Sequence, residues 1–314
     1  MVEQRKMRRI NRNPGAVAYD CSMLRDLSFT LYPAACLCVV LVATSPLEAS
    51  TPCAPRAVTH LALPTNADQP AQRTFTVASL NMAGRPQIGD VLAAWIHERE
   101  IDILLLQEVG HLSIDGEAFV ATLADRLAFH SSYGAANLLG NAHTQGLAIV
   151  SRYPLTDIRV YPLAHHQLRF RSRCRIALAA TVITTYGPVR VVNVHLDTRI
   201  NSKDRVAQVA PLLQTLGGVD IPQIIGGDFN TMNIRWFQTM WPLPYLQRQS
   251  AAVQASFAAE GFDTPLKGGR PTFKFLGLPL RLDWLYLKRL EPLAWNVDDI
   301  RLTDHRGVWA RVRW

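Results

Sequence analysis

The chain is poor in cysteine and lacks a hydrophobic run of the length that usually spans a membrane. Five cysteines occur in 314 residues, and only Cys53 and Cys174 follow the longest apolar run, residues 27–42. That run has about 16 residues and contains Pro33, so it is short for a transmembrane helix. Cys36 follows Pro-Ala-Ala and lacks the upstream apolar residue of a lipoprotein signal, which argues against a lipid anchor. A repeat of fixed period is also missing, which argues against a solenoid.

The N-terminal region has the layout of an export signal. Polar and basic residues 1–26 precede the apolar run, and a small-residue stretch then ends at Leu47-Glu48-Ala49, a suitable cleavage site. We predict that residues 1–49 direct export to the periplasm or the exterior. An uncleaved anchor, with membrane association through residues 27–45, is the alternative. Residues 50–73 are rich in Pro, Thr, Ala and Gln and are predicted to be a linker to one large domain, residues 74–314.

Cysteine usage and charge limit the partners of that domain. Cys53 and Cys174 either form a disulfide in an oxidising compartment or remain free thiols. The net charge is +8, and the part after residue 50 keeps 27 basic against 21 acidic residues. A basic surface attracts polyanions, which include both nucleic acid and anionic lipid headgroups. The densest basic stretch alternates Arg169, Arg171, Arg173 and Arg175, which predicts one face of a strand.

Several strand-like runs end on polar side chains. An apolar run enters IIGGDFNT, whose two glycines are predicted to let a substrate or metal approach the backbone closely. Buried carboxylates and imidazoles are costly without partners, so we expect these chain segments to meet at one site. The polar residues at these positions are Asn81, Gln107, Glu108, Asn193, His195, Asp197, Asp228, Asn230, Asp283, Asp304 and His305.

Seven motifs occur in the order typical of one superfamily. They are SLNMAG, LLLQEV, QGLAIVSRYP, NVHLDT, GGDFNT, RLDWLYL and TDHRGVWARV. On these motifs, residues 74–314 resemble the catalytic domain of the endonuclease/exonuclease/phosphatase superfamily, which has the DNase I-like fold. The resemblance implies a four-layer α/β/β/α sandwich and hydrolysis of a phosphate ester. Two helices, at residues 88–99 and 205–216, fit that layout.

The resemblance also implies roles for individual residues. Glu108 is expected to be the principal ligand of Mg²⁺ or Mn²⁺, supported by Asn81 and Asp304. A water molecule attacks in line, positioned by Asp228 and Asn230, with Asp228 as its proton acceptor. Two histidines donate to the phosphoryl oxygens, and a carboxylate fixes one imidazole. The histidines are His195 and His305, and the carboxylate partner of His305 is Asp283.

Five features have a second interpretation. The arginine-rich strand is either a solvated edge or, as the resemblance implies, lies beside the substrate groove, with phosphate contact by one or two of its arginines. Asp197 either belongs to the site or caps the loop after its strand, and Asn193 either belongs to the site or satisfies nearby backbone groups. The segment 234–249 is either a helix and loop packed on the core or a rim that meets a base or a lipid. Trp284 either packs under the site or stacks on a ligand.

The substrate is the least determined feature of the sequence. We predict a metal-dependent phosphodiesterase, first of all a nuclease. The alternatives are a phospholipid or sphingomyelin phosphodiesterase and a phosphomonoesterase acting on a small phosphate ester. A catalytically inactive binding module is disfavoured because the full set of expected site residues is present. We expect a monomer.

Overall fold

The computed structural model describes residues 56–60, 73–139, 142–169, 172–244, 248–275 and 278–314. The predicted export signal at 1–49 lies outside these residues. Within the described part of the chain, no helix has the length and apolar character needed to cross a membrane. Cys174 is disulfide-bonded, and its predicted partner Cys53 lies outside the described residues.

The described residues form sixteen strands and four α-helices, with a 3₁₀ turn at Pro86–Ile88. The helices are α1 (Gly89–Arg99), α2 (Gly116–Leu127), α3 (Ser202–Gly217) and α4 (Gln249–Ala259). The strands are β1 (Arg56–His60), β2 (Thr74–Asn81), β3 (Ile103–Val109), β4 (His130–Leu138), β5 (Thr144–Ser151), β6 (Leu155–Pro162), β7 (Ile176–Thr184), β8 (Gly187–His195), β9 (Gln223–Asp228), β10 (Ile234–Phe237), β11 (Trp241–Pro244), β12 (Phe273–Phe275), β13 (Leu278–Leu280), β14 (Asp283–Lys288), β15 (Glu291–Asp299) and β16 (Arg306–Arg313).

Two large mixed sheets carry most of these strands. The first has seven strands in the order β1-β4-β5-β3-β2-β16-β15, and the second has five in the order β14-β9-β8-β7-β6. Each sheet contains one parallel pair, β2 with β3 and β8 with β9, and its other pairs are antiparallel. The short pairs β10–β11 and β12–β13 form separate ribbons.

The sheets pack face to face, with helices on both outer faces. Leu105 and Ile149 of the first sheet share one buried cluster with Leu178, Ile224 and Leu285 of the second. A second cluster joins the other face of the first sheet to α1 and α2. Helix α4 packs on the outer face of the second sheet, where the rings of Phe257 and Tyr286 stack at 4.0 Å, and α3 contacts α4. The predicted four-layer α/β/β/α sandwich is confirmed.

Two sequence expectations need correction. The predicted linker at 50–73 contains strand β1, which pairs with the open edge of β4 and extends the first sheet. None of the described residues in the arginine-rich stretch lies in a strand, since β7 begins only at Ile176. Its local bonds explain why. Ser172 Oγ accepts from the Leu168 amide at 2.7 Å and donates to the Leu168 carbonyl at 3.0 Å, which closes a loop instead of extending a ladder.

Candidate active site

The predicted site residues meet at one edge of the sandwich. Strand β2 ends at Asn81 and β3 carries Glu108 one residue before its end in the first sheet, while β8 and β9 end at His195 and Asp228 in the second. Parallel neighbours end at the same sheet edge, so each pair is delivered together. Asp283 opens β14 directly opposite Asp228 in the ladder. The site therefore lies at one end of the sandwich, where the ends of these strands from both sheets come together.

Asp228 is the centre of this arrangement. Its Oδ2 atom lies 3.0 Å from Asn81 Nδ2, 3.5 Å from His195 Nε2 and 3.9 Å from His305 Nε2. Its Oδ1 atom accepts the backbone N–H of Asn230 at 2.9 Å. Three donor side chains, each delivered by a different strand or loop, thus surround a single buried carboxylate oxygen.

His305 and Asp283 form a buried pair. His305 Nδ1 lies 3.0 Å and 3.2 Å from the two oxygens of Asp283, whose side chain has no solvent exposure. This contact leaves His305 Nε2 directed toward Asp228. The carboxylate thus orients the imidazole and stabilises its protonated form.

Glu108 occupies a strained position at the mouth of the site. The ladder between β3 and β5 shifts register between Leu106 and Val109, and Glu108 has φ of 52° within that bulge. Positive φ is unusual for a residue with a side chain, and bulges often re-aim a side chain at a functional site. The Glu108 side chain is 27% exposed, and its Oε1 atom lies 3.4 Å from Asn81 Nδ2 and 3.9 Å from His195 Nε2.

The two histidines have opposite charge preferences. Burial lowers the pKa of His195 well below its usual value, and the positive charges of Arg175 and Arg173 add to that effect. Burial also opposes a charged His305, but the Asp283 carboxylate outweighs it and raises the pKa of His305 to about 10. At neutral pH, His195 is therefore neutral and His305 is a cation.

Asp228 titrates near neutrality. Burial and the neighbouring Asp283 charge raise its pKa to about 7, although His305 and the hydrogen bonds from Asn230 and Asn81 oppose the shift. A general base works best when its pKa lies near the operating pH. The environment of Asp228 therefore suits a proton acceptor.

Comparison with known proteins identifies the family. The family model described as "Endonuclease/Exonuclease/phosphatase family" matches residues 78–305. The chain belongs to the endonuclease/exonuclease/phosphatase family. Members of this superfamily are phosphoric ester hydrolases, and this membership supports an enzyme of the phosphodiesterase or nuclease type. No curated protein matches the chain by sequence.

Solved structures of the family share the fold. An endonuclease/exonuclease/phosphatase from Beutenbergia cavernae DSM 12333 is 22% identical, with a TM-score of 0.59 over 77% of this chain and 72% of that one. A family protein from Leptotrichia buccalis C-1013-b is 15% identical, with a TM-score of 0.60 over 76% of this chain and 100% of that one. The human nocturnin catalytic domain, solved with a bound sulfate, is 20% identical, with a TM-score of 0.55 over 76% and 93%. These likenesses confirm the DNase I-like fold.

Two predicted site residues make no side-chain hydrogen bond to Asp228 among the described residues. The Asn230 side chain donates to the Leu196 carbonyl at 2.9 Å, so it holds the loop after β8. Asp304 is exposed, and its charge contributes to the raised pKa of His305. The roles of Asn230 and Asp304 on substrate and metal remain predictions.

The open interpretations of three other residues are now resolved. Asp197 is fully buried and accepts from Arg175 Nε at 3.1 Å and Gln208 Nε2 at 2.9 Å, so it braces the loop. Asn193 lies between the sheets and donates to two backbone carbonyls of the first sheet at 2.8 Å. Trp284 is buried and donates to Thr231 Oγ1 at 2.8 Å, so it packs beneath the site.

The two glycines of β9 leave room for neighbouring strands in the protein interior and not for a ligand. A Cβ at Gly227, which has φ of 141°, would lie 2.0 Å from the Val194 carbonyl oxygen, and one at Gly226 would meet the Leu105 and Leu285 side chains. Atoms of the adjacent strands and of the opposite sheet occupy the space beside both glycines. The expected close approach of a substrate or metal to this backbone is therefore wrong.

The arginine-rich loop does border the site, although it is not a strand. One wall of the cavity beside Glu108 and His195 is lined by Gln145, Cys174 and Arg175. Arg173 Nη1 donates to Gln145 Oε1 at 3.0 Å. Arg175 thus lines the cavity while paired with Asp197, Arg173 lies beside the cavity wall, and Arg171 is outside the described residues.

Segment 234–249 also differs from the helix-and-loop interpretation, because it is mostly the β10–β11 hairpin. Ile234 and Trp236 point inward while Arg235 and Phe237 are exposed, which is the period-two pattern of a strand. Pro242 and Pro244 would also disfavour a helix interior. The rim interpretation survives in outline, since Phe237 and Trp241 are exposed.

Sequence reasoning missed a buried cation that supports the site. Arg205 of α3 is fully buried and donates to the carbonyls of Asp197, Phe229, Thr198 and Ile200 and to Gln249 Oε1. It thereby ties together the loops that follow His195 and Asp228. A signal was present, because Arg205 falls on the same helical stripe as Val209, Leu212 and Leu216, where an apolar residue is expected.

Two groups of side chains could hold a metal ion. Asp228, Asp283 and His305 present ligand atoms within 4.8 Å of one another. However, His305 is protonated at neutral pH and uses Nδ1 on Asp283. Glu108 fits a divalent cation better, because it is a partly exposed carboxylate with no Lys or Arg within 4.0 Å among the described residues. Asn81 lies beside it and would turn its amide oxygen from the Ala83 amide toward the ion.

Proposed function

We propose that this protein is a divalent-metal-dependent phosphodiesterase, and first of all a nuclease. The observation that carries the proposal is the single Asp228 oxygen surrounded by Asn81, His195 and His305. A carboxylate with a pKa near 7 beside one neutral and one cationic imidazole suits proton removal from water and stabilisation of phosphoryl charge.

The residues of the chain divide the work. Asp228 accepts the proton of the attacking water. His305, held cationic by Asp283, and His195 donate to the phosphoryl oxygens. Glu108, with Asn81 and Asp304, would hold Mg²⁺ or Mn²⁺, and oxygen ligands of this kind suit both ions. When bound, the ion neutralises charge on a non-bridging oxygen and on the leaving oxygen.

Nucleic acid is the first candidate substrate because the protein carries positive charge near the cavity. Arg175 lines the cavity, Arg173 contacts Gln145 of the cavity wall, and the chain after residue 50 has a basic excess. The sulfate in the human nocturnin catalytic domain, which has the same fold, supports recognition of a tetrahedral oxyanion. A phospholipid phosphodiesterase is the second candidate, because Phe237 and Trp241 expose aromatic rings as interfacial anchors do.

Export is also part of the proposal. The disulfide at Cys174 supports an oxidising compartment, where such bonds persist. Fractionation of expressing cells tests this, because the protein should accompany periplasmic or secreted markers. Mass spectrometry of the mature N-terminus then separates a cleaved signal from an anchor at residues 27–45. Recovery of the reduced protein with soluble cytosolic markers would refute export.

The substrate test uses the full chain with Mg²⁺ or Mn²⁺. Plasmid DNA, RNA and phosphocholine lipid vesicles are offered in parallel, with EDTA and Glu108→Ala as negative controls and Glu98→Ala as a matched surface control. Metal-dependent cleavage of DNA or RNA alone is expected. Headgroup release alone would assign the protein to the second candidate. Inactivity on all three substrates would overturn both.

A further inference from the structure

The β10–β11 hairpin presents an exposed aromatic pair. Phe237 and Trp241 face each other across the two strands, with 58% and 55% of their surface exposed. Leu243 pairs with Arg235 on the same face, since alternate residues of a strand share a side. Ile234 and Trp236 point the other way and are buried against the domain. The aromatic face is therefore open, and its back is firmly packed.

The hairpin is joined to loops of the active site. The Asn201 side chain accepts the Trp236 amide at 2.8 Å and donates to the Trp236 carbonyl at 3.0 Å. Asn201 belongs to the loop that follows His195. At the hairpin tip, Thr239 Oγ1 accepts the Arg169 amide at 3.0 Å, and Gln238 Oε1 accepts from Arg169 Nη1 at 3.4 Å. These contacts hold the hairpin in a defined place at the site edge.

Two arginines mark a basic path, one at the hairpin tip and one beside the catalytic cavity. Arg169 contacts the tip, and Arg173 donates to Gln145, which lines the cavity with Glu108 and His195. Arg175 also lines the cavity, but it is buried and ion-paired with Asp197. Residues 163–175 and 234–244 contain no Asp or Glu. The basic path marked by Arg169 and Arg173 is therefore complementary in charge to a phosphate backbone.

We propose that this hairpin is a stacking platform for single-stranded nucleic acid, whose backbone passes Arg169 and Arg173 toward the active site. The inference rests on the proposed nuclease function and narrows its substrate. Bases stack on exposed aromatic rings only when they are unpaired, while arginines neutralise the neighbouring phosphates. A bilayer would contact the aromatic pair but would leave unexplained why the basic path continues into the cavity.

The binding test uses the full chain in EDTA, so that no turnover occurs. Oligothymidylate, oligouridylate, a matched DNA duplex and vesicles of phosphatidylglycerol and phosphatidylcholine are titrated while tryptophan fluorescence is recorded. We expect quenching by the single strands that disappears in Trp241→Phe and persists in Trp295→Phe, which removes a different exposed tryptophan. A Trp241-dependent signal from vesicles and none from oligonucleotides would overturn the proposal.

Affinity provides the second readout. We expect Phe237→Ser with Trp241→Ser to weaken single-strand binding about tenfold or more and duplex binding far less. The matched control, Leu293→Ser with Trp295→Ser, removes similar exposed apolar area from β15 and should leave affinity unchanged. Unchanged single-strand affinity in the hairpin variant, or equal losses for duplex, would refute the platform.

Hydrolysis of bis(p-nitrophenyl) phosphate separates this inference from the proposed function. This small diester does not reach the hairpin, so the hairpin variant should hydrolyse it as the natural chain does. Metal-dependent hydrolysis without Trp241-dependent binding would leave the phosphodiesterase in place and remove the platform. Trp241-dependent binding without any hydrolysis would support the platform and contradict the proposed phosphodiesterase.

Discussion

The catalytic cluster and the rim beside it are built on different principles. The cluster consists mostly of buried side chains at or beside strand ends, and Asn81, His195 and His305 lie around the Asp228 carboxylate. The rim consists of the arginine-rich loop and the β10–β11 hairpin, where Arg169, Phe237 and Trp241 are exposed. Burial shifts the pKa values of the ionisable groups in the cluster. The charged groups of the rim are more exposed and interact less strongly with one another. The difference suggests that the cluster performs the chemistry and the rim chooses the substrate.

Replacing the central carboxylate should give the largest change. Asp228→Asn keeps the shape and the hydrogen bond from Asn230 but removes the proton acceptor. We expect kcat to fall by about 10²–10⁴-fold, the range typical of a lost general base. Burial disfavours the charged carboxylate, so the melting temperature at pH 8 should be unchanged or higher. Steady-state kinetics and calorimetry check both parts, and near-normal turnover would contradict the assignment.

Removal of the buried guanidinium tests the support beneath the cluster. Arg205→Met leaves four backbone carbonyls without their donor, so we expect a loss of about 3–5 kcal/mol in the free energy of unfolding. Urea denaturation measures it. Arg126→Met is the matched control, because its exposed ion pair with Asp90 should contribute less than about 1 kcal/mol. Equal losses in the two variants would contradict the supporting role.

The cluster can also be predicted from the sequence more readily than the rim. Apolar runs that end on Asn81, Glu108, His195 and Asp228 show the site, because parallel strands must deliver their ends to one edge. No such rule covers the rim. The arginine alternation imitates a strand, yet Ser172 and the bonds to the hairpin tip keep the chain in a loop. The buried position of Arg205 depends on tertiary contacts that a helical pattern does not encode.

The two imidazoles offer a direct test of abnormal protonation within the cluster. In EDTA, nuclear magnetic resonance titration should show His305 protonated from pH 6 up to about pH 10, because its folded pKa is raised. His195 should remain neutral across the same range, because its pKa is lowered. His305 therefore stabilises the folded state below its unfolded pKa, and that contribution disappears as the pH rises through about 10.

Asp283→Asn tests the cause of the raised pKa of His305. It removes the carboxylate that raises the pKa of His305, so the imidazole should lose its proton at a much lower pH, while His195 remains neutral. Assignment of the two resonances comes from His195→Gln and His305→Gln. Identical titration of the two histidines in the natural chain would remove the electrostatic distinction between them.

The smallest effect is expected in the rim. Arg173→Gln keeps a polar side chain beside Gln145 but removes one positive charge near the cavity. We expect KM for nucleic acid to rise several-fold with kcat nearly unchanged, and the slope of log affinity against log salt to fall by about one. Arg126→Gln, on the surface of α2, should change neither quantity. A fall in kcat with an unchanged salt slope would place Arg173 in the chemistry, and the division between cluster and rim would then be drawn in the wrong place.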